Sequence, residues 1–328
     1  MNDIIGHQLQ LAGFANAIAK GRLSGTFLFV GPPGIGKATI AKRIAKALLC
    51  DHTLPDSPLD PCGKCESCVQ VEADSHPDLV QVRKPDDRAY IPLELLIGPP
   101  DSRMQEGFCR DIRLRPFKGT RKLAILHDAD YLNDEGANSL LKTLEEPPPD
   151  AVLILIGTNE QRQLPTIRSR CRIVRFTPPR GEDAATLMAR HGIQCDAQTA
   201  EDAIELCGGD CEAAKSLLAD DAGQFRGEFV KQLRSQPIPA VDLARNVSTY
   251  VDEAGKEAAQ RRDRLRDVLA IATATFRDDL KLIADDRSRI TKTIFRIDRT
   301  IDAITHVQRN ANQTTLIEAW SSDVARGR

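Results

Sequence analysis

Thr26-Phe27-Leu28-Phe29-Val30 runs into Gly31-Pro32-Pro33-Gly34-Ile35-Gly36-Lys37, and Ile40, Ala41, Ile44, Ala45 and Leu48 recur after it on one helical face. A short apolar run, a glycine-rich turn and a one-faced periodic segment predict strand, phosphate-binding loop and helix, in that order. Gly31, Gly34 and Gly36 let the backbone curl so that successive N–H groups face a phosphate, and Lys37 adds a cation. The residue after the lysine ordinarily carries a hydroxyl that ligates Mg²⁺. Here it is Ala38, and Thr39 lies about 100° further round the helix. The expectation is a loop at Gly31, Gly34, Gly36, Lys37, Ala38 and Thr39 that is able to hold phosphate, which leaves binding of ATP or ADP open, and that is badly equipped to hold Mg²⁺.

Outward from the loop, Leu79–Val82, Leu123–Leu126, Val152–Gly157 and Ile173–Phe176 read as further strands alternating with helical patterns. That alternation predicts an α/β domain with a mostly parallel sheet over residues 1–177. A helix is expected from about Asn133 to Glu145, because Ala137, Leu140, Leu141 and Leu144 share one face and Pro147-Pro148-Pro149 stops it. Pro178-Pro179 separates a second region with no strand signals: short helices over 178–220, then a charged, all-helical stretch over 221–328. Ile290, Ile294, Ile297, Ile301 and Ile304 form a seam there, read as buried in its own bundle in preference to an intersubunit coiled coil. Arg83–Phe108, with four prolines and weak periodicity, reads as an insertion or mobile loop.

The chain of 328 residues carries a formal net charge of −2 and few aromatics, so any nucleic-acid contact must be local. It shows no apolar run long enough to cross a bilayer and no secretory signal at its start, so a cytoplasmic protein without a membrane partner is expected. Cys50, Cys62, Cys65 and Cys68 offer four thiolates, enough for a closed structural Zn²⁺ site; an Fe–S cluster and unliganded thiols are the alternatives. Cysteines 109, 171, 195, 207 and 211 are scattered and read as buried or inert.

Three further positions carry chemistry. At the end of the Leu123–Leu126 strand, His127 stands where a phosphate-loop ATPase wants a metal-binding Asp, and Asp128 where it wants a Glu. The alternative is that Asp128 and Asp130 cap the next helix. Asn159, at the tip of its strand, is a candidate nucleotide sensor or a turn cap. Arg170, within Arg168-Ser169-Arg170-Cys171, belongs either to a solvated basic loop or to an arginine finger reaching a neighbour's nucleotide.

The loop, the cysteine knuckle, Asn138-Ser139-Leu140-Leu141-Lys142-Thr143-Leu144-Glu145-Glu146-Pro147-Pro148 and Ser169-Arg170-Cys171, in that order, resemble the bacterial clamp-loader AAA+ subunits of DNA polymerase III. The resemblance covers the first ~177 residues closely and extends weakly to Arg309-Asn310-Ala311-Asn312 through Trp320. It implies an α/β AAA+ P-loop domain with an inserted zinc knuckle (50–68), a small helical lid domain (178–220) and an all-α collar domain (221–328). It implies a hetero-pentamer with gamma/tau and delta subunits that loads the sliding clamp on primer-template DNA. Within it, Ala38, His127, Asp128 and Glu212 (in Gly209-Asp210-Cys211-Glu212, where a sensor-2 Arg is expected) all depart in the direction of lost hydrolysis, while Arg170 stays. The implied role is a delta-prime-like stator that supplies Arg170 in trans and does not turn over ATP itself. The alternative is an ATP-hydrolysing gamma/tau-type subunit; a DNA-binding zinc protein is a more distant one.

Overall fold

The structure is a computed structural model that describes residues 4–52, 57–218, 220–255, 257–283, 286–308 and 311–327. The chain divides into two compact units, Met1–Pro179 and Arg180–Arg328.

The first unit is built on five parallel strands, β1 (Gly25–Val30), β2 (Leu79–Val82), β3 (Lys122–Leu126), β4 (Ala151–Gly157) and β5 (Arg172–Arg175). Their order across the sheet is β2-β3-β4-β1-β5. Each contains its expected strand except the last, which ends one residue before Phe176. All seven residues of β4 are buried, as a central parallel strand covered on both faces requires. The register pairs Val30 with Gly157 and Leu126 with Leu155, so the segments leaving β1, β3 and β4 emerge side by side at one crest. In open parallel sheets that crest is where ligands bind.

The helices of this unit are α1 (Gln8–Ala19), α2 (Lys37–Leu49), α3 (Glu66–Glu72), α4 (Leu93–Ile97), α5 (Phe108–Asp111), α6 (Asp134–Glu145) and α7 (Pro165–Arg168). In α2 the stripe Ile40, Ala41, Ile44 and Ala45 is fully buried. In α6 the side chain of Asn133 accepts from the Gly136 amide at 2.8 Å, capping the helix, while Ala137, Leu140 and Leu144 enter the core.

Two expectations need correction. Arg83–Phe108 is no mobile loop: it holds α4 and a short 3₁₀ turn (Pro100–Ser102), and its Ile91, Leu96, Ile97 and Phe108 lie in the main core. Its weak periodicity comes from packing as single turns. Gly107 closes the segment at φ 91°, where a Cβ would stand 2.7 Å from the Gly98 nitrogen.

Among its described residues the second unit is all-helical: α8 (Glu182–Arg190), α9 (Ala197–Leu206), α10 (Cys211–Leu218), α11 (Asp220–Arg234), α12 (Ala240–Asp252), α13 (Ala258–Leu282), α14 (Arg287–Gln308) and α15 (Gln313–Arg326). Here the isoleucine seam is not the buried face of α14. Ile294 and Ile301 are 51% and 44% exposed, Ile290, Ile297 and Ile304 are half-buried, and among the described residues the buried positions are Thr293, Thr300, Ala303 and Val307. Threonine is tolerated inside because its hydroxyl bonds its own helix: Thr293 Oγ1 donates to the Arg289 carbonyl at 2.8 Å and Thr300 Oγ1 to that of Arg296 at 2.7 Å. The indole N–H of Trp320 on α15 then donates to Thr300 Oγ1 at 3.0 Å. Asn312 caps α15, whereas Arg309 and Asn310 lie outside the described residues.

Candidate functional site: a phosphate loop, a cysteine knuckle and an arginine turn

The loop between β1 and α2 has the shape its glycines predict. Gly31, Gly34 and Gly36 take φ values of 154°, 74° and 93°. A Cβ on Gly31 would stand 2.5 Å from the Phe176 carbonyl oxygen, so only glycine fits there. The Lys37 ammonium is buried and donates to the loop carbonyls of Gly31 at 2.5 Å and Pro32 at 2.6 Å. It is thus held over the concavity in which a phosphate would sit. Ala38 and Thr39 face a cleft of about 660 Å³ that Lys42, Arg83 and His127 also line. Cys62 and Gly63 of the knuckle stand on its wall.

The metal-handling side is different. His127 is buried, and its Nε2 lies 3.1 Å from Gln81 Oε1. Burial, with Arg83 adding to it, pushes its pKa down, which favours the neutral ring. Asp128 sits in left-handed backbone at φ 56°, and its Oδ2 accepts from the Lys84 amide at 3.3 Å. Neither Asp128 nor Asp130 caps the next helix: Asp130 accepts from the Thr158 amide at 2.7 Å and from the Gln163 side chain, tying β3 to β4. Asn159 accepts from the Gln161 amide at 2.8 Å, capping the turn after β4. It stays close to the loop, since the Gly31 amide donates to the Thr158 carbonyl.

Cys50 ends α2 and Cys65 begins α3, with Cys62 and Cys68 completing a group of four sulfurs, all within 4.8 Å of one another. Tetrahedral Zn–S bonds of about 2.3 Å need such spacing. Backbone N–H groups already point at the sulfurs: Cys65 to Cys62 at 3.3 Å, and Cys68 to Cys65 and His52 to Cys50 at 3.4 Å. The Lys64 and Cys65 amides bring the Cys62 thiol down to about 6, while burial pushes Cys50 and Cys68 up. The donor set fits a closed four-thiolate metal site. Of the scattered cysteines, burial pushes Cys109, Cys171, Cys195 and Cys207 up, which disfavours their thiolates.

On the rim beyond α7, Arg168 and Arg175 share Glu160, at 3.1 and 2.6 Å, and Arg175 above all holds that carboxyl below its usual range. Arg170 is engaged separately, its Nε donating to Glu145 at 2.6 Å.

A family model described as DNA polymerase III, delta subunit, matches residues 6–180. The chain belongs to the clamp-loader subunits of DNA polymerase III, the gamma/tau family. It is 35% identical to the delta-prime subunit of Pseudomonas aeruginosa, over 66% of this chain and 64% of that one. The delta-prime subunit of Bacillus subtilis is 36% identical over 50% of this chain and 45% of its own length. The tau subunit of the same organism is 32% identical over 70% and 38%. The chain therefore spans between 38% and 64% of the length of these relatives.

Three residues shape this clamp-loader domain through partners that no local sequence pattern marks. His7, in left-handed backbone at φ 64°, places Nε2 2.9 Å from the Ile35 carbonyl and its ring edge-on to Phe176, bracing the phosphate loop. Asp78, fully buried, accepts from the amides of Phe117, Lys118 and Gly119 at 2.6, 2.9 and 3.3 Å. Burial alone would raise its pKa, but these three donors overcome it and hold the carboxyl below its ordinary value. Glu145 reads as the last residue of a helix until the fold sets it beside Arg170. Each acts across 25 residues or more, beyond the reach of a local pattern.

Proposed function

We propose that this chain is a delta-prime-like stator of the DNA polymerase III clamp loader. It joins a ring with gamma/tau and delta subunits and supplies Arg170 to the ATP site of an adjacent gamma/tau subunit, helping to load the sliding clamp on primer-template DNA in the cytoplasm. The observation that carries this reading is the pairing at the metal side of the loop. Ala38 has no side-chain oxygen to give Mg²⁺, and His127 offers a buried ring engaged with Gln81. A phosphate loop without these ligands holds nucleotide by its backbone and lacks the metal that in-line phosphoryl transfer uses. Binding of ATP or ADP through Gly31, Gly34, Gly36 and Lys37, beside Thr39, Asp128 and Asn159, is retained in this reading without turnover.

Cys50, Cys62, Cys65 and Cys68 hold one structural Zn²⁺ in this account, a count that elemental analysis of the purified chain checks. Residues 178–220 act as the lid and 221–328 as the collar. Exposed Ile294 and Ile301 on α14 support the collar assignment, because apolar side chains left outward on a subunit of an assembly are suited to meet a neighbour. At the sensor-2 position, Glu212 opens α10 and ion-pairs with Lys215 in place of any cation for a triphosphate.

The test is a reconstituted loader carrying Arg170→Ala. An arginine finger acting in trans contributes roughly 10³–10⁵ in rate, so ATP turnover driven by clamp and primed DNA should collapse while this subunit still folds and assembles. Near-normal turnover would rule the finger out.

A further inference from the structure

Arg170 makes an unusual number of bonds within its own chain for a residue assigned to a neighbour's site. Its Nε donates to Glu145 Oε1 at 2.6 Å, and Nη2 pairs with the same oxygen. Nη1 donates to the Thr166 carbonyl at 3.0 Å and to Ser169 Oγ at 3.2 Å. A guanidinium has five N–H donors, so four are engaged. Bidentate recognition of a phosphate takes two parallel N–H bonds, and at least one of the present contacts must open to release them. Glu145 is the charged partner among them. It competes with a phosphate in kind, as an anion, where the Thr166 carbonyl and the Ser169 hydroxyl do not. Glu145 also closes α6, whose last carbonyls add negative partial charge at the same place.

We infer that Glu145 is a positioning residue that parks Arg170 until a neighbour's bound triphosphate takes the guanidinium over. This rests on the arginine-finger reading. The exchange is within reach because the pair is wet: the side chains are 48% and 29% exposed, and such pairs are weak. A triphosphate carries several charges against the single charge of the carboxylate. The parked state keeps the side chain ordered on the rim and prevents it from engaging before nucleotide and neighbour are in place.

Glu145→Gln tests this, because the amide keeps the shape and still accepts from Nε while losing the charge. In the reconstituted loader, ATP turnover measured without clamp or DNA should rise roughly two- to fivefold, the range set by a weak surface pair, with a lower KM for ATP. Combined with Arg170→Ala, the substitution should change nothing further. Unchanged or reduced turnover in Glu145→Gln, or a rise that persists without Arg170, would overturn the parking role. A crippled Arg170→Ala beside a silent Glu145→Gln would overturn it alone, whereas a normal Arg170→Ala would remove the finger and this role together. A readout on the isolated chain needs no neighbour: by NMR, the Arg170 Nε–H should exchange more slowly with water in the native protein than in Glu145→Ala, which removes the acceptor. Equal exchange in the two would contradict the pair itself.

Discussion

The phosphate loop and the arginine turn stand on the same sheet and differ in what each provides. At the loop, everything that depends on backbone is present: three glycines at positive φ, a lysine held by loop carbonyls, a carbonyl braced by His7. What depends on side-chain oxygens is missing, with Ala38 and a Gln81-bound His127 at the metal positions. At the arginine turn the side chain itself is intact, ordered and anchored by an acid. The contrast separates holding a phosphate, which amides and shape accomplish, from transferring one, which needs placed metal ligands and cations. On the proposed reading, a domain that keeps the first offers Arg170 outward and is suited to complete another subunit's site.

The sharpest way to break this comparison is to set Arg170 against Arg168, two residues away. Arg170→Ala should reduce loader turnover by roughly 10³-fold or more. Arg168→Ala removes a cation already paired with Glu160 and should leave turnover within about twofold, the scale of a surface pair. Equal effects of the two would return the turn to a generic basic loop.

A second test asks whether the crest stands independently of its support. Asp78→Ala leaves three backbone donors near Phe117 unsatisfied and should cost about 3 kcal/mol, read as a lower denaturant midpoint. Its pKa is lowered in the folded state, so as pH falls the unfolded chain protonates first. The contribution of Asp78 is therefore full above about pH 4 and lost as pH drops through the lowered value. The native protein should lose stability in that range, and Asp78→Ala should show a smaller acid dependence.

The smallest effect is a gain. Ala38→Thr with His127→Asp restores oxygen ligands on the metal side, and nucleotide binding should become more strongly Mg²⁺-dependent by calorimetry. Either change alone should do less, because both sides of the metal shell are needed.

The central strands β1, β3 and β4 are legible because parallel strands buried on both faces are continuous apolar runs, and α6 because Asn133 and the three prolines mark its ends; the sheet-edge strands β2 and β5 show only short apolar pairs. The cysteine knuckle was legible from its spacing. Two features were not. The segment at Arg83–Phe108 packs as isolated turns too short to show a period, yet it buries Leu96 and Phe108. On α14 the isoleucine spacing points to a core face, but self-bonded threonines fill the inside, leaving Ile294 and Ile301 exposed and Ile290, Ile297 and Ile304 half-buried. At the site itself, residue types were readable and partners were not. Arg170 was visible, Glu145 as its anchor was not, and Asp130 proved to be a strand tie instead of a helix cap.

The most direct test of the central claim is steady-state ATP turnover by the purified chain with Mg²⁺, with and without primed DNA, beside a Lys37→Ala control. The stator account predicts no turnover above the control under either condition. Turnover that disappears with Lys37 would contradict it, showing that Ala38 and His127 are tolerated and that this subunit is itself a motor.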